Sequence, residues 1–268
     1  MKYKRIVIIF VIIFSYSIGI SQTADNDRKI IKVMTFNILH GATTNESFDL
    51  DRIAKVIIDA DPDLVSLQEV DYKTNRTKKY DLATELGYRT KMVSLFAKAM
   101  SFDGGEYGNA ILSKFTFLKT KNVTLPFSEG NEPRTAVEII TVTNSGDTIS
   151  FIGTHLNHLE SGSDRLKQAV KINEIFSSTK YPTILAGDLN DIPKSETINI
   201  LEKFWTSSYN KENPQPTFPS NDPERKIDYV MFLPEKRWKV IETKVIQDSI
   251  ASDHCSYLVT LELIDENK

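Results

Sequence analysis

The chain of 268 residues is short of the side chains that staple a fold or hold soft metals. Its single cysteine, Cys255, rules out an internal disulfide and leaves no thiolate cluster for zinc. Stability must therefore come from an apolar core, which this length can bury as one large domain or two small ones. Positive charge is not in excess either. The 33 lysines and arginines against 36 acids give a formal net charge of −3, without the broad basic footprint of a dedicated nucleic-acid binder. A nuclease that grips phosphates locally remains open. No apolar run beyond residue 21 is long enough to cross a bilayer, and no repeat or low-complexity run follows it.

The first 21 residues differ in kind. Lys2, Lys4 and Arg5 precede an almost wholly apolar stretch from Ile6 to Ile20, and Gly19 and Ser21 set small side chains just before Gln22. This is the pattern of a secretory signal peptide, too short for the roughly 20 residues of a spanning helix. Cleavage is expected, with a retained anchor as the alternative, and export to the periplasm or the extracellular space in a bacterium. Losing three bases and no acid takes the formal charge from −3 to −6. Residues 22–29 (QTADNDRK) read as a polar linker, and 30–266 as one domain.

Within that domain, IKVMTFN (31–37) and DLVSLQEV (63–70) read as strands. Between them Asp49 caps a helix with Leu50, Ile53, Ala54 and Ile57 on one stripe. A second helix is predicted from Tyr80 to Leu86, closed by Gly87. From Tyr88 to Leu156 the pattern is short strands broken by hairpin residues such as Asp103-Gly104-Gly105, an antiparallel sheet that takes in YRTKMV, 88–93. Ser163 then caps a helix whose core face is Leu166, Ala169, Val170 and Phe176. Its exit leads into YPTILAGDLN (181–190), where a buried strand stops and Asp188 and Asn190 emerge on one side. A short helix near 195–202, a proline-rich loop from 213 to 223 and three last strands complete the chain. Mixed strands with interspersed helices imply two packed sheets flanked by helices.

The polar residues at strand ends are Asn37, Glu69, His155, Asp188, Asn190, Asp228 and the pair Asp253-His254. Each has a structural alternative: an Asx turn for Asp188 or Asn37, a solvated Glu69, Asp228 paired with Lys226 or Arg225, Ser252-Asp253 as a cap, core histidines. As a set they make a site. Several carboxylates on one rim repel unless a divalent cation neutralises them, and oxygens from Asn37, Glu69 and Asp253 suit Mg²⁺, or Mn²⁺, better than zinc.

The blocks TFNILHG (35–41), PDLVSLQEVD (62–71), YGNAILSK (107–114), EPRTA (132–136), GTHL (153–156), GDLND (187–191), KIDYV (226–230) and SDH (252–254) run in one order. With them the chain resembles the endonuclease/exonuclease/phosphatase superfamily of deoxyribonuclease I-like enzymes, which also includes sphingomyelinases and inositol-phosphate phosphatases. The resemblance implies a four-layer α/β sandwich and metal-assisted hydrolysis of a phosphate ester. It implies Asn37, Glu69 and Asp253 as metal-site residues and Asp188 as the residue that orients or deprotonates the attacking water. Asn190 would contact the phosphate, His254 would stand beside it with Asp228 as carboxylate partner, and His155 would be a second histidine. Tyr107, Asn109 and Arg134 would line the pocket.

The expectation is an exported Mg²⁺-dependent phosphohydrolase, most simply a phosphodiesterase on nucleic acid or a phospholipid-like ester. The alternatives are a small phosphomonoester such as an inositol or sugar phosphate as substrate, or a non-catalytic module that keeps the fold. A degenerate module should have lost some of Glu69, Asp188, Asn190, Asp228 or His254, and all are present. No stable protein partner is expected, and LFAKAMSF (95–102) offers at most transient membrane contact.

Overall fold

The computed structural model describes residues 29–266, so the expected signal peptide and nearly all of the linker lie outside the described residues. Two six-stranded sheets form the body. In the first, the order is β11 (Trp238–Ile246), β12 (Ser256–Leu263), β1 (Ile30–Asn37), β2 (Leu64–Tyr72), β4 (Gly105–Ser113) and β3 (Val93–Phe102). In the second it is β5 (Phe117–Thr124), β6 (Thr135–Val142), β7 (Thr148–His155), β8 (Thr183–Asp188), β10 (Asp228–Leu233) and β9 (Thr206–Ser207).

Strand alternation builds the layers. Ile31 and Val33 face inward with Ile184, Ala186, Val230 and Phe232 of the other sheet, forming the core between the sheets. Met34, Phe36 and Leu67 face outward onto helices α1 (Leu50–Ala60) and α2 (Leu82–Thr90). Ile152, Leu185 and Met231 face outward on the second sheet, onto α3 (Ser163–Phe176) and α4 (Glu196–Leu201). The result is the four-layer α/β sandwich. The central strands are buried on both faces, and each large aliphatic side chain so covered contributes about 1.5–3 kcal/mol, while the edge strand β5 is largely exposed. Among the described residues only β1–β2 and β7–β8 pair in parallel, each pair joined through a helix that covers the outer face.

Three local expectations are corrected. Residues 88–90 continue α2, which closes on Lys91 in the left-handed conformation, so YRTKMV is not a strand and Gly87 is not the cap. A Cβ at Gly87 would meet the Met92 carbonyl and Ser94 at 2.9 Å; the glycine allows the next strand to pass close. Ser163 is the first residue of α3 and does not cap it; the N-cap position is Gly162, and no side chain caps the helix. The inner face of α3 is also rotated from the expected one: Val170 is exposed, while Arg165, Gln168 and Asn173 are buried beside Ala169, Ile172 and Phe176.

Candidate active site

The site opens where the inward-facing rows of the two sheets run out. In β8, Ile184, Ala186 and Asp188 share the inner face, and the register sets His155 of β7 and Asp228 of β10 directly beside Asp188. Three polar side chains are thus level at one rim because three strands end in register. Beneath them the sheets approach closely. A Cβ on Gly153 of β7 would stand 2.7 Å from the Ser66 hydroxyl of β2.

Glu69 arrives by a different route. Sequence reading places it at the end of its strand, but β2 runs on to Tyr72, and the pairing with β4 shifts between Leu67 and Val70. Glu69 sits in that bulge with φ of 57°, a left-handed conformation disfavoured for a side chain of its size. The bulge turns it into the cavity with Asp188; regular alternation would send it outward with Leu67. Asp253 and His254 come from the turn before β12. Ser252 fixes that turn, its hydroxyl donating to the Asn37 carbonyl at 2.7 Å and accepting from the His254 N–H at 3.1 Å.

Asp188 is 1% exposed and well anchored: Oδ1 accepts the Asn190 N–H at 2.9 Å and Oδ2 accepts from Asn37 at 3.2 Å. The Asx turn and the site are therefore the same structure. The His254 ring lies between two acids, with Nδ1 3.0 Å from Asp228 and Nε2 3.7 Å from Asp188. Burial works against its charge, but Asp228 and Asp188 prevail and push its pKa up, so His254 is a cation. Burial raises the Asp188 carboxyl above the usual carboxylate range, with the His254 cation pulling the other way. His155 behaves oppositely. Burial and then Arg134 hold it well below its ordinary value, and Arg134 Nη1 stands 2.8 Å from its Nδ1. Since a guanidinium can only donate, the ring is neutral; its Nε2 lies 3.0 Å from the Asn190 amide nitrogen and 3.4 Å from Asp188 Oδ2.

Asn37, Glu69, Tyr107, Arg134, His155, Asp188, Asn190, Asp253 and His254 line one cavity of about 500 Å³. Asp228 is fully buried behind His254, and Lys226, its suggested partner, instead stands over the Tyr257 ring. Two expectations need correction. Asn109 does not line the cavity; it is 2% exposed and donates to the Thr135 carbonyl, tying β4 to β6. Asn37 does not offer its oxygen, because Oδ1 accepts from the Leu39 N–H while the amide nitrogen bridges Glu69 and Asp188, each at 3.2 Å. Its place is to position two carboxylates. The lining also includes His40, Arg76, Phe102, His158, Phe218 and Arg225. These are loop and strand-tip residues, and only His40, beside Asn37 in TFNILHG, stood within a block that marked it.

The donor set fits a hard divalent ion at Glu69 and Asp253. Burial raises the Asp253 carboxyl, the His254 cation eases it, and Glu69 raises it again. Burial raises Glu69 too, but His40, Asn37 and His254 bring it below its ordinary value, so an ionised carboxylate stands beside Asp253; a cation relieves that pair, and oxygen donors suit Mg²⁺. Asp188, Asp228 and His254 also offer ligand atoms within 4.8 Å of one another. An ion there would have to displace the His254–Asp228 hydrogen bond, so this trio is better suited to moving a proton and holding charge.

The sequence profile of the Endonuclease/Exonuclease/phosphatase family matches residues 34–254, and the chain belongs to that family of phosphoric ester hydrolases. The family is metal-dependent. A structure described as an endonuclease/exonuclease/phosphatase from Beutenbergia cavernae is 22% identical, covers 87% of this chain and 72% of its own, and has a TM-score of 0.71. A mannosyl-6-phosphatase from Bacteroides thetaiotaomicron is 17% identical over 86% of this chain and 99% of its own, TM-score 0.69. The human Nocturnin catalytic domain with bound sulfate is 19% identical over 89% and 98%, TM-score 0.68. At these identities the likeness is one of fold.

Proposed function

We propose that this chain is an exported, Mg²⁺-dependent phosphohydrolase that cleaves its ester by in-line attack of water, most simply a phosphodiesterase on nucleic acid or a phospholipid-like substrate. The observation that carries the reading is the level arrangement of His155, Asp188 and Asp228 at the rim, with the His254 cation between the two acids. Asp188, buried and held by Asn37 and Asn190, takes the proton of the attacking water. Its raised pKa makes it a stronger base than an exposed carboxylate. His254, kept charged by Asp228, faces the phosphate and offsets the charge that builds on a non-bridging oxygen. Neutral His155 lies against Asn190 and Asp188 and helps keep both in place. Glu69 and Asp253 would hold the Mg²⁺, which when bound supplies Lewis-acid charge to the phosphate and leaving oxygen. Tyr107, whose pKa is raised by burial and by Glu69, stays protonated as a donor at the wall.

Export rests on the sequence of residues 1–21 alone. The resemblance in fold to a mannosyl-6-phosphatase keeps a sugar phosphomonoester as the second substrate class. The mature protein assayed on plasmid DNA, RNA, sphingomyelin, inositol phosphates and sugar phosphates, with Mg²⁺ and with EDTA, tests the reading. Turnover of at least one class that EDTA abolishes is expected. Failure on every class, or turnover indifferent to EDTA, would sink it.

A further inference from the structure

Arg76 stands at the mouth of the catalytic cavity with one edge of its guanidinium unused. Asp71, fully buried in β2, accepts from its Nε and Nη2 at 2.7 and 2.8 Å. Thr74 donates to the same carboxylate at 2.6 Å, and the Arg76 N–H donates to Asp103 at the tip of the β3–β4 hairpin at 2.7 Å. The guanidinium lies over the Phe102 ring, 4.6 Å from its centre, and 5.8 Å from that of Tyr107. Its remaining nitrogen, Nη1, makes no hydrogen bond among the described residues. Arg76 also lines a second cavity, of about 540 Å³, which shares His40, Arg76 and Asp253 with the first and is walled by Thr43, Glu46, Ser47 and Phe48.

A bridge that only pinned the loop has no reason to put the guanidinium in the walls of two joined cavities, since Thr74 and Asp103 already hold that loop. A guanidinium offers donors and no acceptor, so what it binds must present acceptor oxygens, and its planar fork matches phosphate. Together the two cavities are far larger than one phosphoryl group. Building on the phosphohydrolase reading, we propose that Arg76 is a specificity residue that binds a second phosphate of the same substrate, beyond the one that is cleaved. The enzyme then favours substrates with two phosphates over those with one. That second phosphate is a neighbour in a nucleotide or the far group of a small bisphosphate.

Two substrate pairs, each differing by one phosphate, test this. One is the p-nitrophenyl ester of thymidine 5′-phosphate with and without a 3′-phosphate; the other is glucose 1,6-bisphosphate against glucose 6-phosphate. In the wild type, kcat/KM for one pair is expected to favour the second phosphate about tenfold or more, the scale of a charge-assisted hydrogen bond. Which pair shows it tells the two sources apart. The double variant Arg76→Gln/Asp71→Asn, which leaves no buried charge unpaired, should bring that ratio to about one. Should it fail to fold, Arg76→Lys keeps Asp71 paired and loses the planar fork, and should cut the ratio at least about threefold. A wild-type ratio near one in both pairs, or a ratio unchanged by substitution, overturns the inference. If no ester of either pair is turned over, calorimetric binding of each pair's members decides this inference by the same ratios, while the hydrolytic reading stands or falls on the wider substrate panel.

Discussion

Asp188 and His254 carry opposite formal charges 3.7 Å apart in a place that water barely reaches, and each holds the other in its working state. Asp188→Asn keeps the Asn37 and Asn190 neighbours but removes the proton acceptor. A loss of about a hundred- to ten-thousandfold in kcat/KM is expected, without a fall in melting temperature, and His254→Asn should behave alike. Wild-type turnover in either variant would void the roles assigned here. The pH profile follows from the same pair. Activity requires Asp188 ionised and His254 charged; both pKa values are raised, so the acid limb lies above the ordinary carboxylate value of 3.8 and the basic limb above 6.5. Rate is lost as pH falls through the first and as it rises through the second. A basic limb below pH 6.5 would contradict a cationic His254. At this scale strand-end position marked Asp188, His155 and Asp228, which end an inward-facing row, and also Glu69, Asn190, Asp253 and His254, which line the same cavity. Asn37 was visible too, but which of its amide atoms faces the cavity depends on the Leu39 N–H, which strand periodicity does not reveal.

Among the elements, the close approach of β2 and β7 sets the floor of the site. Gly153→Ala would bring a methyl within 2.7 Å of the Ser66 hydroxyl, forcing the sheets apart. Overpacking of this kind costs about 1–3 kcal/mol, so thermal unfolding should fall by several degrees, with part of the loss recovered in Gly153→Ala/Ser66→Ala. An alanine variant as stable as wild type would mean the sheets are not in tight contact there. Sheet and helix layers were legible because apolar alternation and helical stripes set them. The face of α3 was not. Gln168 is buried because it accepts from the Asn157 N–H and donates to the Pro126 carbonyl, and Asn173 because it bonds Ile200 and the Trp205 indole. These polar side chains satisfy loop backbone, a carbonyl in the last turn of α4 and an indole N–H, demands that hydrophobic spacing does not record. The β2 bulge is hidden for a related reason: nothing in QEVD announces the extra residue that turns Glu69 around.

The whole molecule makes the site by joining ends. The first sheet supplies Asn37, Glu69 and the turn with Asp253 and His254, and the second supplies His155, Asp188 and Asp228. Neither half has the full chemistry, which explains why residues scattered from 37 to 254 act together. In the proposed function the acids also divide by task, with Glu69 and Asp253 for the cation and Asp188 and Asp228 for the proton and the histidine. Titration of the protein with Mn²⁺, read by calorimetry, tests that division directly. The account predicts one site per chain, weakened at least about tenfold by Glu69→Gln, on the scale seen when a metal site is disturbed, and little changed by Asp228→Asn. Full affinity in Glu69→Gln, with loss of the ion in Asp228→Asn, would contradict it.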